Sequence, residues 1–236
     1  MLKKLLLFFI AVIALTACDD ELKYTGDERV LYQGRITDAN GSPLQGVPVS
    51  VYISKDGYSG LYYNPISDTD IISYTTTDAG GNYKMFYPAP RNQNNIALLV
   101  NYQNAYNPQN TTYSSTSFQN LIPENLSDNK LDFEDIKLFE VANATTLSIN
   151  INNAGGYAIS KLNLVGLIDK NEVDYNFNLP LEDENYNYQE SYLVAKNQTV
   201  TLKYQTRTYI NDNTLISNHE VQIPIGSEPV NYTLEF

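Results

Sequence analysis

Residues 30–53 read V-L-Y-Q-G-R-I-T-D-A-N-G-S-P-L-Q-G-V-P-V-S-V-Y-I, and residues 73–87 read S-Y-T-T-T-D-A-G-G-N-Y-K-M-F-Y. In the first stretch Val30, Tyr32, Gly34 and Ile36 recur with period two and share one strand face; Val47, Val49, Val51 and Ile53 share another. Between them Asp38-Ala39-Asn40-Gly41 supplies a turn, because short Asp and Asn side chains bond nearby backbone and Gly takes a positive φ without a Cβ clash. The second stretch repeats the device with Asp78-Ala79-Gly80-Gly81-Asn82, after which Tyr83, Met85 and Tyr87 alternate. Pro48 lies opposite the valines and has no N–H to give a neighbour, so this strand is expected at a sheet edge or with its proline at a bulge.

The spacing of G-R-I-T-D-A-N-G-S-P-L-Q-G-V-P-V and the later T-T-D-A-G-G-N-Y resembles the carboxypeptidase regulatory-like domain family, over residues 29–141. The resemblance implies a transthyretin-like (prealbumin-like) sandwich of about seven strands. It implies no activity, since the module accompanies peptidases, transporters and surface lipoproteins alike.

Moving outward, Ile71–Thr77, Tyr83–Tyr87, Ile96–Tyr102 and Leu131–Val141 read as further strands of this unit, with a polar segment at 104–129. From Asn143 the alternation starts again at Leu147-Ile149-Ile151, Leu162-Leu164, Val173–Leu179, Tyr192-Val194, Val200–Thr206, Val221–Ile225 and Val230–Phe236. Residues 142–236 therefore read as a second sandwich, immunoglobulin-like, and the whole chain as all-β. The composition agrees: 20 Tyr and 8 Phe with no Trp among 236 residues favour strands.

Toward the start, residues 1–17 join a basic Lys3-Lys4 to an apolar run and small residues, a secretory signal peptide. Its ending, Leu15-Thr16-Ala17-Cys18, resembles a bacterial lipobox, which implies a lipid on Cys18 and cleavage before it. The following Asp19, Asp20 and Glu21 resemble the export signal of Bacteroidota-type lipoproteins, implying an outer-membrane protein that faces the cell exterior. Residues 18–28 form an acidic tether with a reach of about 17 Å.

A net charge of −12 without a Lys/Arg cluster beyond the leader argues against nucleic acid as a partner. Cys18 is the single cysteine, which excludes an intramolecular disulfide. His219 is the single histidine and falls at the entry of an expected strand, a solvated position. No G-x-S-x-G, H-E-x-x-H or phosphate-cradling glycine loop occurs. The acidic groups Asp68/Asp70, Asp132/Glu134/Asp135 and Glu182-Asp183-Glu184 do not match an EF-hand loop and read as turns and surface. No metal or cofactor is expected.

Two functions fit. The first is a non-catalytic surface lipoprotein, held to the membrane by its lipid, that binds a glycan or a protein partner through loops or strand edges. Its candidate ligand residues are Tyr58, Tyr62, Tyr63, Tyr106 and Tyr113, rings in polar loops without a strand partner. The second is a glycoside hydrolase or accessory subunit with an acid and base pair drawn from Asp68, Asp70, Glu182 and Glu184.

Overall fold

A computed structural model describes residues 24–54, 69–90, 96–119, 121, 128–152, 158–172, 187–210 and 213–235. Cys18, Asp19, Asp20, Glu21, Tyr58, Tyr62, Tyr63, Asp68, Glu182, Asp183, Glu184 and the expected strand at 173–179 lie outside the described residues.

The described chain is all-β apart from a 3-10 turn at Val141–Asn143. Seven strands precede that turn: β1 (Tyr24–Asp38), β2 (Pro48–Ser54), β3 (Thr69–Thr76), β4 (Asn82–Pro90), β5 (Ile96–Val100), β6 (Thr116–Gln119) and β7 (Lys130–Leu138). Seven follow it: β8 (Ala144–Asn152), β9 (Ala158–Val165), β10 (Lys170–Glu172), β11 (Asn187–Ala195), β12 (Gln198–Ile210), β13 (Asn213–Ile225) and β14 (Val230–Glu235).

A three-stranded sheet, β4-β1-β7, faces a five-stranded one, β10-β6-β5-β2-β3, across the first core. All the period-two positions of the opening stretch except the half-buried Gly34 lie inside: Val30, Tyr32, Ile36, Val47, Val49, Val51 and Ile53 are buried. Sheets β11-β8-β14 and β13-β12-β9 enclose a second cluster built on Leu147, Ile149, Leu162, Val194, Leu202 and Ile223.

The two Asp turns have the same wiring. Asp38 Oδ1 accepts from the N–H groups of Asn40 (2.9 Å) and Ser42 (2.8 Å), and Asp78 Oδ1 from those of Gly80 (2.8 Å) and Asn82 (2.8 Å). Gly41 and Gly81 take φ of +90° and +77°. The turns also meet, because the Ile36 N–H donates to the Gly81 carbonyl at 2.8 Å.

Several expectations are corrected. β1 begins at Tyr24, so the last five tether residues, 24–28, are strand, paired to β4 at Tyr24↔Pro90 and Arg29↔Pro88 across a bulge. β2 is not an edge, since it lies between β3 and β5; Pro48 is its first residue, where a missing N–H costs no ladder bond, and the register shift comes later, at Val51/Tyr52. The 104–129 segment contains β6, whose polar Thr116 and Ser117 are buried. His219 sits inside the thirteen-residue β13 rather than at its entry. There its ring stacks on Tyr204 at 4.7 Å, and its Nε2 lies 2.8 Å from the Thr206 hydroxyl.

Segment 167–172 stitches the two halves together. Ile168 bridges Val194, the Asp169 N–H donates to the Leu193 carbonyl at 3.0 Å, and β10 then runs parallel to β6 in the first half's sheet. At this crossing Lys170 pairs with Glu190, which also accepts from the Tyr192 hydroxyl at 3.0 Å. The Asp169 carboxylate accepts from the Leu193 N–H at 3.1 Å. Burial outweighs that bond and the nearby Lys170 charge and pushes the Asp169 carboxyl from 3.8 up to about 6.

A carboxyl whose folded pKa is raised stabilises the fold fully below its unfolded value and loses that contribution as pH rises through the folded value. Asp169 therefore costs stability progressively between pH 3.8 and about 6 and by a constant amount above. Asp169→Asn keeps the acceptor for Leu193 and removes the charge. Thermal denaturation is expected to show the variant melting above the parent at pH 7.5, with the gap closing by pH 4; a gap independent of pH contradicts the assignment.

Candidate binding surfaces

Two surfaces of the first half present chemistry to solvent. The first lies on the outer face of the five-stranded sheet, where register places Tyr74, Ser50, Leu99, Ser117 and Lys170 in one row. Tyr52, Ala97 and Leu99 are buried there, with Ile71 and Tyr102 packed against them, so β2 and β5 are covered on both sides. At the edge of this covered area Tyr74 and Tyr106 stack in parallel, centroids 4.2 Å apart and planes 4° apart. Both rings stay open to solvent, Tyr74 at 47% and Tyr106 at 61% of full exposure.

The loop holds Tyr106 through side-chain amides. Asn101, fully buried in a left-handed conformation at φ +61°, acts as a hub. Its Nδ2 donates to the carbonyls of Asn110 (2.8 Å), Tyr113 (2.9 Å) and Ser114 (3.1 Å), and its Oδ1 accepts from the Asn110 N–H at 2.8 Å. Nearer the ring, Asn104 Oδ1 accepts from the N–H groups of Tyr106 and Asn107, both at 2.8 Å. Tyr113, bridged to Glu140, packs its half-buried ring against the first core. Of the candidate tyrosines within the described residues, Tyr106 thus offers an open ring and Tyr113 turns inward.

The second surface is a groove of 580 Å³ on the outer face of β4-β1-β7. Outward positions alternate along each strand, so register builds rows across the sheet: Phe86–Leu31–Lys130, Lys84–Gln33–Asp132 and Asn82–Arg35–Asp135. The second and third rows line the groove together with Thr75, Thr76, Asp78 and Glu134, and the Phe86 row lies beyond it. Between Gln33 and Arg35 the pairing with β7 shifts, so that Phe133 and Glu134 together stand opposite Gly34. Phe133 turns into the core, with edge contacts to Tyr32 at 5.7 Å and Phe118 at 5.1 Å. Only glycine fits at 34, since a Cβ there comes within 2.8 Å of the Phe133 carbonyl oxygen and 2.9 Å of the Tyr83 hydroxyl.

Most groove charges have partners. Asp132 meets Lys130 at 2.7 Å and Asp135 meets Arg35 at 3.5 Å, while Arg35 Nε donates to the Gly80 carbonyl at 3.1 Å. The Lys130 hydrogen bond holds the Asp132 carboxyl below the usual range, and the Asn82 amide does the same for Asp78. Lys84 Nζ lies 5.2 Å from the centroid of the half-exposed Phe86 ring. No three His, Cys, Asp or Glu side chains gather to hold a metal among the described residues, the Asp132/Glu134/Asp135 group included. Of the hydrolase carboxylates, only Asp70 is described; it is exposed on β3.

Sequence reasoning reached Tyr106 through its polar loop but not Tyr74, whose strand neighbours gave no sign that an outer ring would be needed. The groove was likewise unforeseen. Its signal lay in the outward half of the alternation, where Gln33, Arg35, Asn82 and Lys84 read as ordinary solvated positions.

No protein-family model matches this chain, and no curated protein does. Among solved structures it is similar to the shaft pilin SpaA of Lactobacillus rhamnosus GG, at 13% identity over 87% of this chain and 97% of that one, with a TM-score of 0.32. A streptococcal ancillary pilin matches at 9% identity over 89% of this chain and 63% of its own, with a TM-score of 0.28. A 3-chlorocatechol 1,2-dioxygenase of Rhodococcus opacus matches at 13% over 48% of this chain and 60% of its own, with a TM-score of 0.29. None of these likenesses carries an activity across.

Asn101 is expected to control the first surface. Asn101→Ala removes four hydrogen bonds from a buried hub and leaves three backbone carbonyls short of a donor, a cost of about 2–4 kcal/mol. Chemical denaturation measures that loss, and quenching of tyrosine fluorescence is expected to show Tyr106 released from its stack. Full stability in the variant contradicts the hub role.

Proposed function

We propose that this chain is a non-catalytic surface lipoprotein, anchored to the outer membrane by a lipid on Cys18, that recognises a glycan through the Tyr74–Tyr106 face. The anchor and its outward placement rest on the Leu15-Thr16-Ala17-Cys18 ending and the Asp19-Asp20-Glu21 cluster. The glycan reading rests on one observation, the parallel and solvent-open tyrosine pair. A pyranose ring has an apolar C–H face, and an aromatic ring already fixed by stacking offers it a flat partner with little rotamer entropy left to lose. Asn107 and Gln109 follow Tyr106 in the same loop and supply donors and acceptors for hydroxyl groups.

The hydrolase reading finds less support. A glycosidase needs one carboxyl raised enough to deliver a proton; of Asp68, Asp70, Glu182 and Glu184 only Asp70 lies among the described residues, and the carboxyls Asp78 and Asp132 of the groove are shifted the other way. Asp169 is raised, but it is engaged with Leu193 at the crossing between the halves. For a protein partner the specific feature is β13, which among the described residues pairs only with β12 and exposes Leu215 and Ile216.

One experiment on intact cells tests the proposal. Cells making the parent protein are expected to retain labelled members of a neutral glycan panel, and Cys18→Ala cells to lose that retention. Tyr74→Ala with Tyr106→Ala is expected to reduce binding at least tenfold, the loss of roughly 1.4 kcal/mol of stacking. Retention unaffected by the double substitution removes the glycan face; retention unaffected by Cys18→Ala removes the anchor.

A further inference from the structure

The groove over β4-β1-β7 lies mainly on the other sheet from the stacked tyrosines, bordered on one side by Thr75 and Thr76 of β3. Its volume falls in the range of small-ligand sites, about 300–1,000 Å³. Its lining carries the amide and hydroxyl oxygens of Gln33, Asn82, Thr75 and Thr76, which can accept from sugar hydroxyls, although Asn82 Nδ2 already donates to Asp78 and the Thr75 hydroxyl to the Thr76 carbonyl.

The charges select further. Asp78 is held by its turn amides, Asp132 by Lys130 and Asp135 by Arg35. Glu134, exposed on the two-residue bulge opposite Gly34, has no such partner among the described residues. The face also holds a cation against an aromatic ring already, Lys84 over Phe86 at 5.2 Å.

We infer that this groove is a second binding site, one that takes an amino sugar. The hydroxyls meet the Gln33–Asn82 side of the floor, and the ammonium meets Glu134. The same surplus of negative charge rejects uronic-acid and sulfated sugars.

The test uses the full-length protein in detergent at pH 6, where the sugar amine is charged. Glucosamine oligomers, neutral cello-oligosaccharides, oligogalacturonate and oligolysine are titrated with amide chemical shifts as the readout. The glucosamine oligomers are expected to bind, with shifts at Gln33, Lys84 and Glu134 and not at Tyr106. Glu134→Gln is expected to weaken that binding about tenfold, the scale of one lost charge-assisted hydrogen bond. Glu228→Gln, an exposed carboxylate elsewhere, is expected to change nothing. The inference is overturned by equal binding of oligogalacturonate or cello-oligosaccharides, by oligolysine binding as tightly as the sugar, by an unaffected Glu134→Gln, or by no shift at the groove with any probe.

Discussion

The register between β1 and β4 is the constraint on which the first half depends, and the meeting of the two Asp turns sets it. Ile36 donates to the Gly81 carbonyl, and its own carbonyl oxygen accepts from Leu44 at 3.0 Å while lying where any Cβ on residue 81 would stand. A one-residue slip of β4 along β1 turns β4 over relative to its partner. Tyr83, Met85 and Tyr87 then leave the core, and Asn82 and Lys84 leave the groove, while Tyr32, Gln33 and Arg35 keep their faces on β1. Core and groove are therefore two sides of one pairing.

That core is unusually phenolic. Tyr32, Tyr83 and Tyr87 are buried, and the Tyr32 and Tyr87 rings meet edge to face at 5.2 Å. Burial pushes the Tyr32 hydroxyl up to about 12 and raises Tyr83 and Tyr87 as well. The Tyr32 and Tyr87 hydroxyls lie near enough to influence each other's ionisation, yet none of the three meets hydrogen-bond geometry with a partner among the described residues. The aromatic area stabilises the sandwich, and the stranded hydroxyls offset part of that gain.

Much of this was legible from residues alone. The valine alternation, both Asp turns and the inward set of β1, β2, β4 and β5 follow from period two and turn chemistry, and they appear inside as expected. What escaped were elements whose pairing is not written in apolar residues. β6 buries Thr116 and Ser117, β10 is Lys-Asn-Glu, and the outer half of the β12–β13 hairpin pairs polar residues such as Gln205 and Asn218, whose side chains bond at 3.0 Å. The same blindness hid the sites. Asn101 reads as an outward polar position of the Ile96–Tyr102 strand until three carbonyls converge on it, and Gly34 reads as a strand glycine until the bulge opposite it appears.

The interlocked turns make one measurement decisive. Gly41 and Gly81 have similar positive φ, but a Cβ at 41 meets open space and one at 81 meets the Ile36 carbonyl. Gly41→Ala then carries only the left-handed backbone cost, about 1–2 kcal/mol, and Gly81→Ala that cost plus a clash with backbone, about 3–4 kcal/mol. Equilibrium urea denaturation of the two variants beside the parent reads the difference. Gly81→Ala is expected clearly below Gly41→Ala in midpoint at unchanged slope; equal midpoints contradict the claim that this contact fixes the register.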